Sequence, residues 1–189
     1  MEINQLESAI GDRIRLLRQQ RGMTLDELAG RSGVSRAMIS RVERAEASPT
    51  AQLLARLCAA LGTTLSRFFA TEEADASPLS RRRDQRLWRD PETGYIRRSV
   101  SPEGVHSPVD IVEVEFPPGA RVVFDPHQIE TGTTQHIWIF SGRLNMTLAG
   151  QTHVLDAGDC LFMALGDGHI FHNPYEEPAR YAVVLSRNR

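Results

Sequence analysis

The sequence predicts a multidomain α + β protein, with a helical domain over residues 1–70 and an antiparallel β-sandwich or barrel over residues 94–189. The first region carries apolar residues at helical spacing, together with helix-capping residues and glycines. The last region consists of short alternating segments between turns that contain Gly, Pro or Asp. Between the two domains, residues 71–93 are polar, charged and without periodicity, which is typical of a linker.

The first two helices have clear start and stop signals. Residues Leu6 to Gln20 carry an apolar stripe opposite a face with arginines, and Gly22 ends this helix. Thr24, followed three residues later by Glu27, forms a capping box, which predicts that the second helix begins there.

Three further helices are expected. Gly33 supplies a tight turn, and Ser35 caps a third helix whose outward face is basic. Thr50 caps a fourth helix that Gly62 closes, and a short fifth helix spans Thr64 to Phe69. Because the connecting loops are short, the five helices are expected to form one compact domain.

Several segments of the C-terminal domain have the alternation and flanking turns of β-strands. In one of them, alternation places Gln135, Ile137 and Ile139 on one face. If that face is buried, His136 and Trp138 point outward, where they can form a subunit contact. The predicted strands are Val109–Phe116, Thr134–Phe140, Arg143–Leu148, Gln151–Leu155, Asp159–Met163 and Arg180–Ser186.

Composition and charge restrict the class of protein. No apolar run approaches the length of about 20 residues that a membrane-spanning helix needs, and the N-terminus lacks a secretory signal pattern. We interpret Cys58 and Cys160 as buried apolar residues and not as a disulfide, so we expect a cytoplasmic protein with no membrane partner. Residues 1–70 hold ten arginines against seven acidic residues, and residues 94–189 hold seven against eleven. A polyanion therefore prefers the first domain.

The helical domain resembles the helix-turn-helix family of phage-repressor-like regulators, often called the XRE family. The resemblance rests on IGDRIRLLRQQRGMTLDELAGRSGVSRAMISRVERAEASPT and on the ALGTTLSRFF that follows. It implies double-stranded DNA as a partner, with the third helix in the major groove. Arginine bonds bidentately to guanine, which favours Arg36 and Arg41 for base contacts. The implied DNA-binding residues are Thr24, Ser35, Arg36, Ala37, Ser40, Arg41 and Arg44.

The same resemblance implies a structural ion pair and a dimer. Glu43 is expected to pair with Arg18 of the first helix and so to fix the angle between the two helices. One such domain makes too few base contacts for specificity over a genome, which a homodimer on a pseudo-palindromic operator would remedy. Because residues 1–70 show no obvious dimer surface, we expect the second domain to supply it.

The C-terminal domain resembles the cupin family, whose members fold as a small antiparallel jelly-roll barrel. The second cupin motif is matched by Gly158, Gly166, His169 and Asn173, with Ala164 in place of its proline. This spacing is the more specific of the two cupin signals in the chain.

The first cupin motif is degraded. Gly142 and the nearby HIWIFSGRL fit it, but Gln135 stands where the family has a glutamate. A cupin metal centre uses three imidazoles and a carboxylate, and of that set only His169 remains in place. We therefore expect no cofactor. A metal held by His127, Glu130 and His169 is the less favoured alternative.

Without a metal, the barrel interior is interpreted as a pocket for a small organic effector. For His169 a hydrogen-bonded position in the core is an equally weighted alternative. The expected pocket residues are Gln128, Glu130, Gln135, Ile137, His169 and Phe171.

Together these features predict a sequence-specific DNA-binding transcriptional regulator whose cupin-like domain binds an effector and modulates operator binding. No enzymatic activity is expected, because without a metal, dioxygenase or isomerase chemistry loses its Lewis acid. Ser/His/Asp catalysis has no support either, since the sequence contains no strained nucleophile elbow of the GxSxG type. Two alternatives stay open: a metal-dependent cupin enzyme with an accessory DNA-binding domain, and a constitutive repressor whose barrel only dimerises.

Overall fold

A computed structural model of the chain describes residues 3–69, 77–105, 107–126 and 132–187. None of the helices within these ranges is long and apolar enough to cross a membrane. The helical domain contains the five helices that the sequence predicts. They are α1 (Ile3–Gln20), α2 (Leu25–Ser32), α3 (Arg36–Glu43), α4 (Ala51–Ala60) and α5 (Leu65–Phe69).

The predicted helix caps are present and fix the turn between α2 and α3. The backbone N–H of Glu27 donates to the Thr24 hydroxyl at 3.2 Å, and the Thr24 N–H donates to the Glu27 carboxylate at 2.7 Å. Ser35 accepts a hydrogen bond of 3.2 Å from the N–H of Met38. Gly33 has a φ of +64°, the left-handed conformation that a glycine adopts without strain.

α1 and α3 approach each other closely near Gly11. A β-carbon at Gly11 would lie 2.4 Å from the carbonyl oxygen of Val42, so only a glycine allows this contact. Beneath the crossing lies the apolar core of the helical domain. Its fully buried side chains include Ile14, Leu28, Ile39, Leu54, Leu57 and Leu61.

A single-turn 3₁₀ helix at Arg82–Asp84 and ten strands follow in the described part of the chain. The strands are β1 (Leu87–Arg89), β2 (Ile96–Ser99), β3 (Val109–Phe116), β4 (Arg121–Phe124), β5 (Thr133–Ser141), β6 (Leu144–Leu148), β7 (Gln151–Leu155), β8 (Cys160–Ala164), β9 (His169–His172) and β10 (Ala179–Arg187).

The strands form two antiparallel sheets of the jelly-roll kind, which confirms the predicted fold class. One sheet has the order β1-β2-β3-β10-β5-β8, and the other has the order β4-β9-β6-β7. Aromatic side chains fill the space between them, with the ring centroids of Phe116 and Phe171 6.3 Å apart and those of Phe171 and Tyr181 5.8 Å apart. The interior is therefore bounded by apolar rings on both sheets.

All six predicted strands are present, but β1, β2, β4 and β9 were not predicted. Each of these four has only three or four residues, which is too short for alternation to be recognised.

The structure differs from the prediction of a linker where β1 begins. β1 pairs with β2, with Trp88 opposite Arg97, and adds an edge strand to the larger sheet. Trp88 is 5% exposed and Asp90 only 1% exposed. The sequence around Trp88 is charged, which is typical of a solvated segment. A strand of three residues buries only its middle side chain, so its exposed neighbours conceal it in the sequence. The ordered sheet thus starts before residue 94.

The two cysteines lie in different environments. Cys58 is buried in the helical core, as predicted, whereas Cys160 is exposed, contrary to the prediction. On β8 the buried side chain is that of Met163, and alternation turns Cys160 to the outer face together with Phe162.

Candidate DNA interface and interdomain cavity

α3 has one buried face and one exposed face. Ile39 and Val42 are buried in the helical core, whereas Arg36, Ala37 and Arg41 are exposed. This division follows from the helical period, because residues three and four apart share a face. The outward face therefore presents the side chains that the family resemblance implies for base contacts.

Carboxylates partner two arginines of this surface. The Nε atom of Arg36 lies 3.5 Å from a carboxylate oxygen of Asp26. Arg44 donates to both carboxylate oxygens of Glu46, at 2.7 and 2.8 Å, and to the hydroxyl of Ser40. The hydrogen bonds from Arg44 lower the pKa of Glu46. Exposed pairs of this kind are weak, so a DNA phosphate can replace the carboxylate at little cost.

The two capping hydroxyls differ in what they offer a phosphate. Thr24 accepts from the N–H of Glu27 and also donates to the Glu27 carboxylate at 2.9 Å, so both of its capacities are used. Among the described residues, Ser35 accepts from Met38 and leaves its hydroxyl hydrogen available. Both residues stand at helix N-termini, where N–H groups favour anions.

Arg18 and Glu43 form the pair that the resemblance implies. Arg18 donates to the two carboxylate oxygens of Glu43 at 2.7 and 2.8 Å, and to the carbonyl of Met23 at 2.9 Å. The hydrogen bonding to Glu43 raises the pKa of Arg18. Because Glu43 is buried and α1 carries Arg18, this bidentate pair orients α3 against α1 and is not part of the exposed face.

Arg56 of α4 connects the turn before α3 with the second domain. Its guanidinium donates to the carbonyl oxygens of Ser32 and Gly33, each at 3.0 Å. Its Nε atom also lies 3.9 Å from the carboxylate of Asp125, the residue that follows β4. The sequence did not single out Arg56, because an arginine on the polar side of a helix carries no motif.

A cavity of about 100 Å³ lies where the jelly roll meets α4 and α5. Both domains contribute to its wall. The helical domain supplies Ala55, Thr63, Thr64, Leu65 and Ser66. The jelly roll supplies Tyr95, Arg97, Val112, Val114, Phe116, Val122, Phe124, Gln135, Leu165, His169, Phe171, Tyr181, Val183 and Leu185.

Three of the predicted pocket residues line this cavity, namely Gln135, His169 and Phe171. Ile137 is fully buried but lies outside the described lining, because it sits one inward-facing position further along β5. Gln128 and Glu130 lie outside the described residues.

The two polar side chains among the predicted pocket residues have internal partners. The Gln135 amide donates to the sulfur of Met163 at 3.2 Å. The Nδ1 atom of His169 is 3.2 Å from the carbonyl oxygen of Asp167, and its ring stacks on Phe124 with centroids 4.9 Å apart. His169 thus combines the two alternatives of the sequence analysis, a bonded core position and a place in the cavity wall.

Arg97 is the charged side chain in the described cavity wall, and it was not among the predicted pocket residues. Arg97 lies on β2 and is 6% exposed. Its Nη2 atom donates to the hydroxyl of Ser66, and its guanidinium carbon is 5.6 Å from the ring centre of Phe69. Its Nη1 atom has no hydrogen-bond partner in the described structure. Nothing in the short IRRS segment distinguishes the buried Arg97 from its half-buried neighbour Arg98.

Comparison with known families agrees with this architecture. Residues 14–68 match the helix-turn-helix family HTH_3, and residues 112–185 match the cupin domain family Cupin_2. The chain is an XRE-type helix-turn-helix protein with a C-terminal cupin domain.

Two bacterial transcriptional regulators align with most of the chain. The helix-turn-helix cupin protein is similar to the HTH-type transcriptional regulator SutR of Escherichia coli (strain K12), with 26% identity over 172 residues and 91% of each chain covered. It is also similar to the HTH-type transcriptional regulator PuuR of that organism, with 25% identity over 169 residues, which cover 87% of this chain and 88% of PuuR. The domain matches and these similarities place the chain among helix-turn-helix transcriptional regulators.

A solved structure has the same fold over nearly the whole chain. The crystal structure of an HTH_3 family transcriptional regulator from Vibrio cholerae matches with a TM-score of 0.78 at 23% identity, covering 98% of this chain and 99% of that one. The arrangement of a helix-turn-helix domain on a cupin domain is therefore shared.

The cupin metal motif can be compared with the geometry of the cavity. Within the described ranges, no group of three His, Cys, Asp or Glu side chains is arranged to hold a metal ion. His169 is the motif ligand that lies in the cavity wall, and Gln135 contributes a neutral amide in place of the carboxylate. His127 and Glu130, the other members of the alternative site, lie outside the described residues. The described side chains therefore do not fit a cupin metal centre.

Proposed function

We propose that this protein is a sequence-specific transcriptional regulator whose cupin domain binds a small organic effector, and that the effector changes its affinity for operator DNA. The observation that carries the proposal is the cavity whose wall comes from both domains. A molecule bound there touches the DNA-binding domain directly, so it has a means to favour one arrangement of the two domains. The role proposed is regulatory and not enzymatic.

The exposed face of α3 supplies the DNA contacts. Arg36 and Arg41 read guanine edges in the major groove, with Ala37 and Ser40 beside them. Ser35 and Arg44 contact phosphates, and Thr24 does so when a phosphate replaces the Glu27 carboxylate as its acceptor. These contacts set the register of the domain on the duplex. The exposure of Arg36, Ala37 and Arg41 supports this assignment.

Effector binding reaches α3 through α4. An effector in the cavity contacts Ala55 on α4 and Ser66 on α5. Arg56, the residue after Ala55, holds the carbonyl groups of the turn before α3. A ligand shifts the equilibrium between two domain arrangements only by the difference in its affinity for them. Contacts of the ligand with α4 and α5 supply such a difference, because they depend on how the helical domain sits on the jelly roll. The constitutive alternative predicts a filled interior, and the free volume of about 100 Å³ favours the effector.

The regulator acts in the cytoplasm as a homodimer that joins through the outer face of the larger sheet. Trp138, Phe140 and Phe162 are 50%, 43% and 58% exposed on that face. Large exposed aromatic side chains next to one another mark an interaction surface in soluble proteins. A dimer also supplies the second recognition helix that a pseudo-palindromic operator requires.

Fluorescence anisotropy with DNA from upstream of the protein's own gene tests the DNA assignment. The double variant Arg36→Ala/Arg41→Ala is expected to bind about 30-fold more weakly or worse, since each bidentate base contact is worth about 1–3 kcal/mol. Arg121→Ala is the matched control, because Arg121 is an exposed arginine of the cupin domain. Equal affinities of the double variant and the wild type would contradict the proposal.

A further inference from the structure

The interdomain cavity contains a buried cation and no described carboxylate. The described wall includes Arg97 but no Asp or Glu. Arg97 is 6% exposed, and its Nη1 atom has no hydrogen-bond partner, whereas Nη2 donates to the hydroxyl of Ser66. An unsatisfied charged donor in an apolar surrounding is unfavourable, and an incoming anion would remove that penalty.

Among the described residues, the titratable groups that act on Arg97 do not neutralise it by contact. Tyr95, Cys58, Asp110 and Tyr181 favour its charged form at a distance. Of these, Asp110 is the acidic side chain, and none of the ion pairs between described residues joins it to Arg97. Burial lowers the pKa of Arg97, because desolvation disfavours the charged guanidinium. Within the described residues, the partner that Arg97 lacks is one negative charge.

Resting on the effector-binding function proposed above, we infer that the effector is a small monocarboxylate with an apolar body, whose carboxylate pairs with Arg97 in the interdomain cavity. The planar guanidinium matches a carboxylate in shape and charge, and Nη1 carries the free donors for it. A single buried arginine balances one negative charge and leaves a phosphate dianion half compensated.

Size and wall chemistry limit the body of the ligand. Val112, Val114, Val122 and Phe124 line the cavity and make much of its wall apolar. The free volume of about 100 Å³ is several times the roughly 10–15 Å³ of free space that a single water needs. A short aliphatic or a single-ring carboxylate fits these limits, whereas a nucleotide is too large.

The position of Arg97 also connects ligand binding to the DNA-binding domain. The same guanidinium that offers Nη1 to the ligand holds Ser66 of α5 through Nη2. α5 packs against α4, which carries Arg56 and so holds the turn before α3. A carboxylate that turns the Arg97 guanidinium therefore changes how α5 is held.

The first test compares matched ligands with the full wild-type chain by calorimetry. The probes are benzoate with benzamide, and hexanoate with hexanamide, which differ within each pair mainly in charge. The carboxylates are expected to bind about ten- to hundred-fold more tightly than the amides, because a neutral amide oxygen can accept from the guanidinium but cannot neutralise its buried charge. This comparison needs no variant. Equal binding within both pairs, or no binding of any probe at millimolar concentration, would overturn the inference.

The second test uses Arg97→Met, with Arg98→Met as the matched control. Arg98 is the next residue on β2, but its guanidinium lies 3.5 Å from the Glu113 carboxylate and is not in the described cavity wall. Arg97→Met is expected to abolish the preference for carboxylates and to leave thermal unfolding unchanged or slightly raised, because it removes an uncompensated buried charge. A carboxylate preference that survives Arg97→Met in a folded variant would refute the pairing.

Operator titrations separate this inference from the proposed function. If a carboxylate binds with dependence on Arg97 but leaves operator affinity unchanged, the anion site stands and the regulatory proposal fails. If operator affinity responds to a neutral or cationic molecule and Arg97→Met makes no difference, the regulatory proposal stands and the carboxylate assignment fails.

Discussion

The carboxylate of Asp90 accepts a hydrogen bond of 2.7 Å from the backbone N–H of Ala51, the first residue of α4. Its other oxygen accepts from the N–H of Thr93 at 2.8 Å, and Asp90 is 1% exposed. A carboxylate at a helix N-terminus satisfies a free N–H and interacts favourably with the helix dipole. The residue after β1 thus caps a helix of the other domain and fixes α4 on the jelly roll.

Removing this cap should destabilise the protein. Asp90→Ala is expected to lower the free energy of unfolding by about 1–3 kcal/mol, because the Ala51 N–H loses its acceptor in a buried position. Thermal and denaturant unfolding measure the loss. Asp84→Ala is the control, since Asp84 is an exposed acid of the nearby 3₁₀ helix. If both variants had the same unfolding midpoints as the wild type, the cap would contribute nothing to stability.

The close contact of α1 and α3 predicts opposite effects at two helical glycines. Gly11→Ala should destabilise the protein by about 2 kcal/mol or more, since its β-carbon would lie 2.4 Å from the Val42 carbonyl oxygen. Gly30→Ala on α2 has nothing within 4 Å and should stabilise by about 1 kcal/mol through helix propensity. Unfolding midpoints of the two variants measure the contrast, and a harmless Gly11→Ala would show that the helices can separate.

The pair of Arg44 and Glu46 predicts a gain of DNA affinity. Glu46→Gln removes the carboxylate that competes with phosphate for Arg44, so operator affinity is expected to rise about two- to fivefold at low salt. Anisotropy titrations measure it, and the gain should shrink as salt rises. In an Arg44→Ala background the same substitution should have little effect. An equal gain in both backgrounds would mean that Glu46 acts only by general charge.

Glu113 predicts a pH dependence of stability. Arg180 and Arg82 donate to its carboxylate at 2.6 and 2.8 Å, and the Arg180 hydrogen bond above all lowers the pKa of Glu113 below 4.5. A lowered folded-state pKa gives a contribution that is complete above the ordinary pKa and lost as the pH falls through the lowered value.

Glu113→Gln should therefore remove about 1 kcal/mol at neutral pH and nothing at a pH below the folded pKa. Unfolding midpoints across that acidic range measure the difference. Glu115→Gln changes an exposed acid of the same strand and serves as control. If Glu113→Gln were still less stable than the wild type at the lowest pH, the loss of stability would come from packing and not from charge.

The exposed aromatic face predicts the oligomeric state. Trp138→Arg is expected to shift the protein from dimer to monomer in sedimentation velocity and to weaken operator binding, because two half-sites then bind independently. Val154→Arg is a matched control, since Val154 is 52% exposed but lies on the other sheet. Dimers that persist in Trp138→Arg would place the interface elsewhere.

Local chemistry made most of the helical domain predictable. The signals at Thr24, Gly33 and Ser35 act within three or four residues, so their pattern is readable in the chain itself. The alternation along β5 likewise predicted that Gln135 and Ile137 share one face and that Trp138 lies on the other, and the structure buries the first of these faces.

Local patterns of this kind do not predict interactions between residues that are far apart in the sequence. Ser66 and Arg97 are 31 residues apart, and Ala51 and Asp90 are 39 apart. Short strands such as β1 and β2 exist only because a neighbouring strand pairs with them, and their few residues carry no period.

The sequence by itself determined two domains of different class, a basic recognition helix and a degraded metal motif, because these depend on residue type and spacing. Only the tertiary structure decided that the cavity lies between the domains and that Arg97, not its neighbour Arg98, is buried in the wall. The physical reason is that desolvation of a charge depends on which segments pack around it, and those segments come from both ends of the chain.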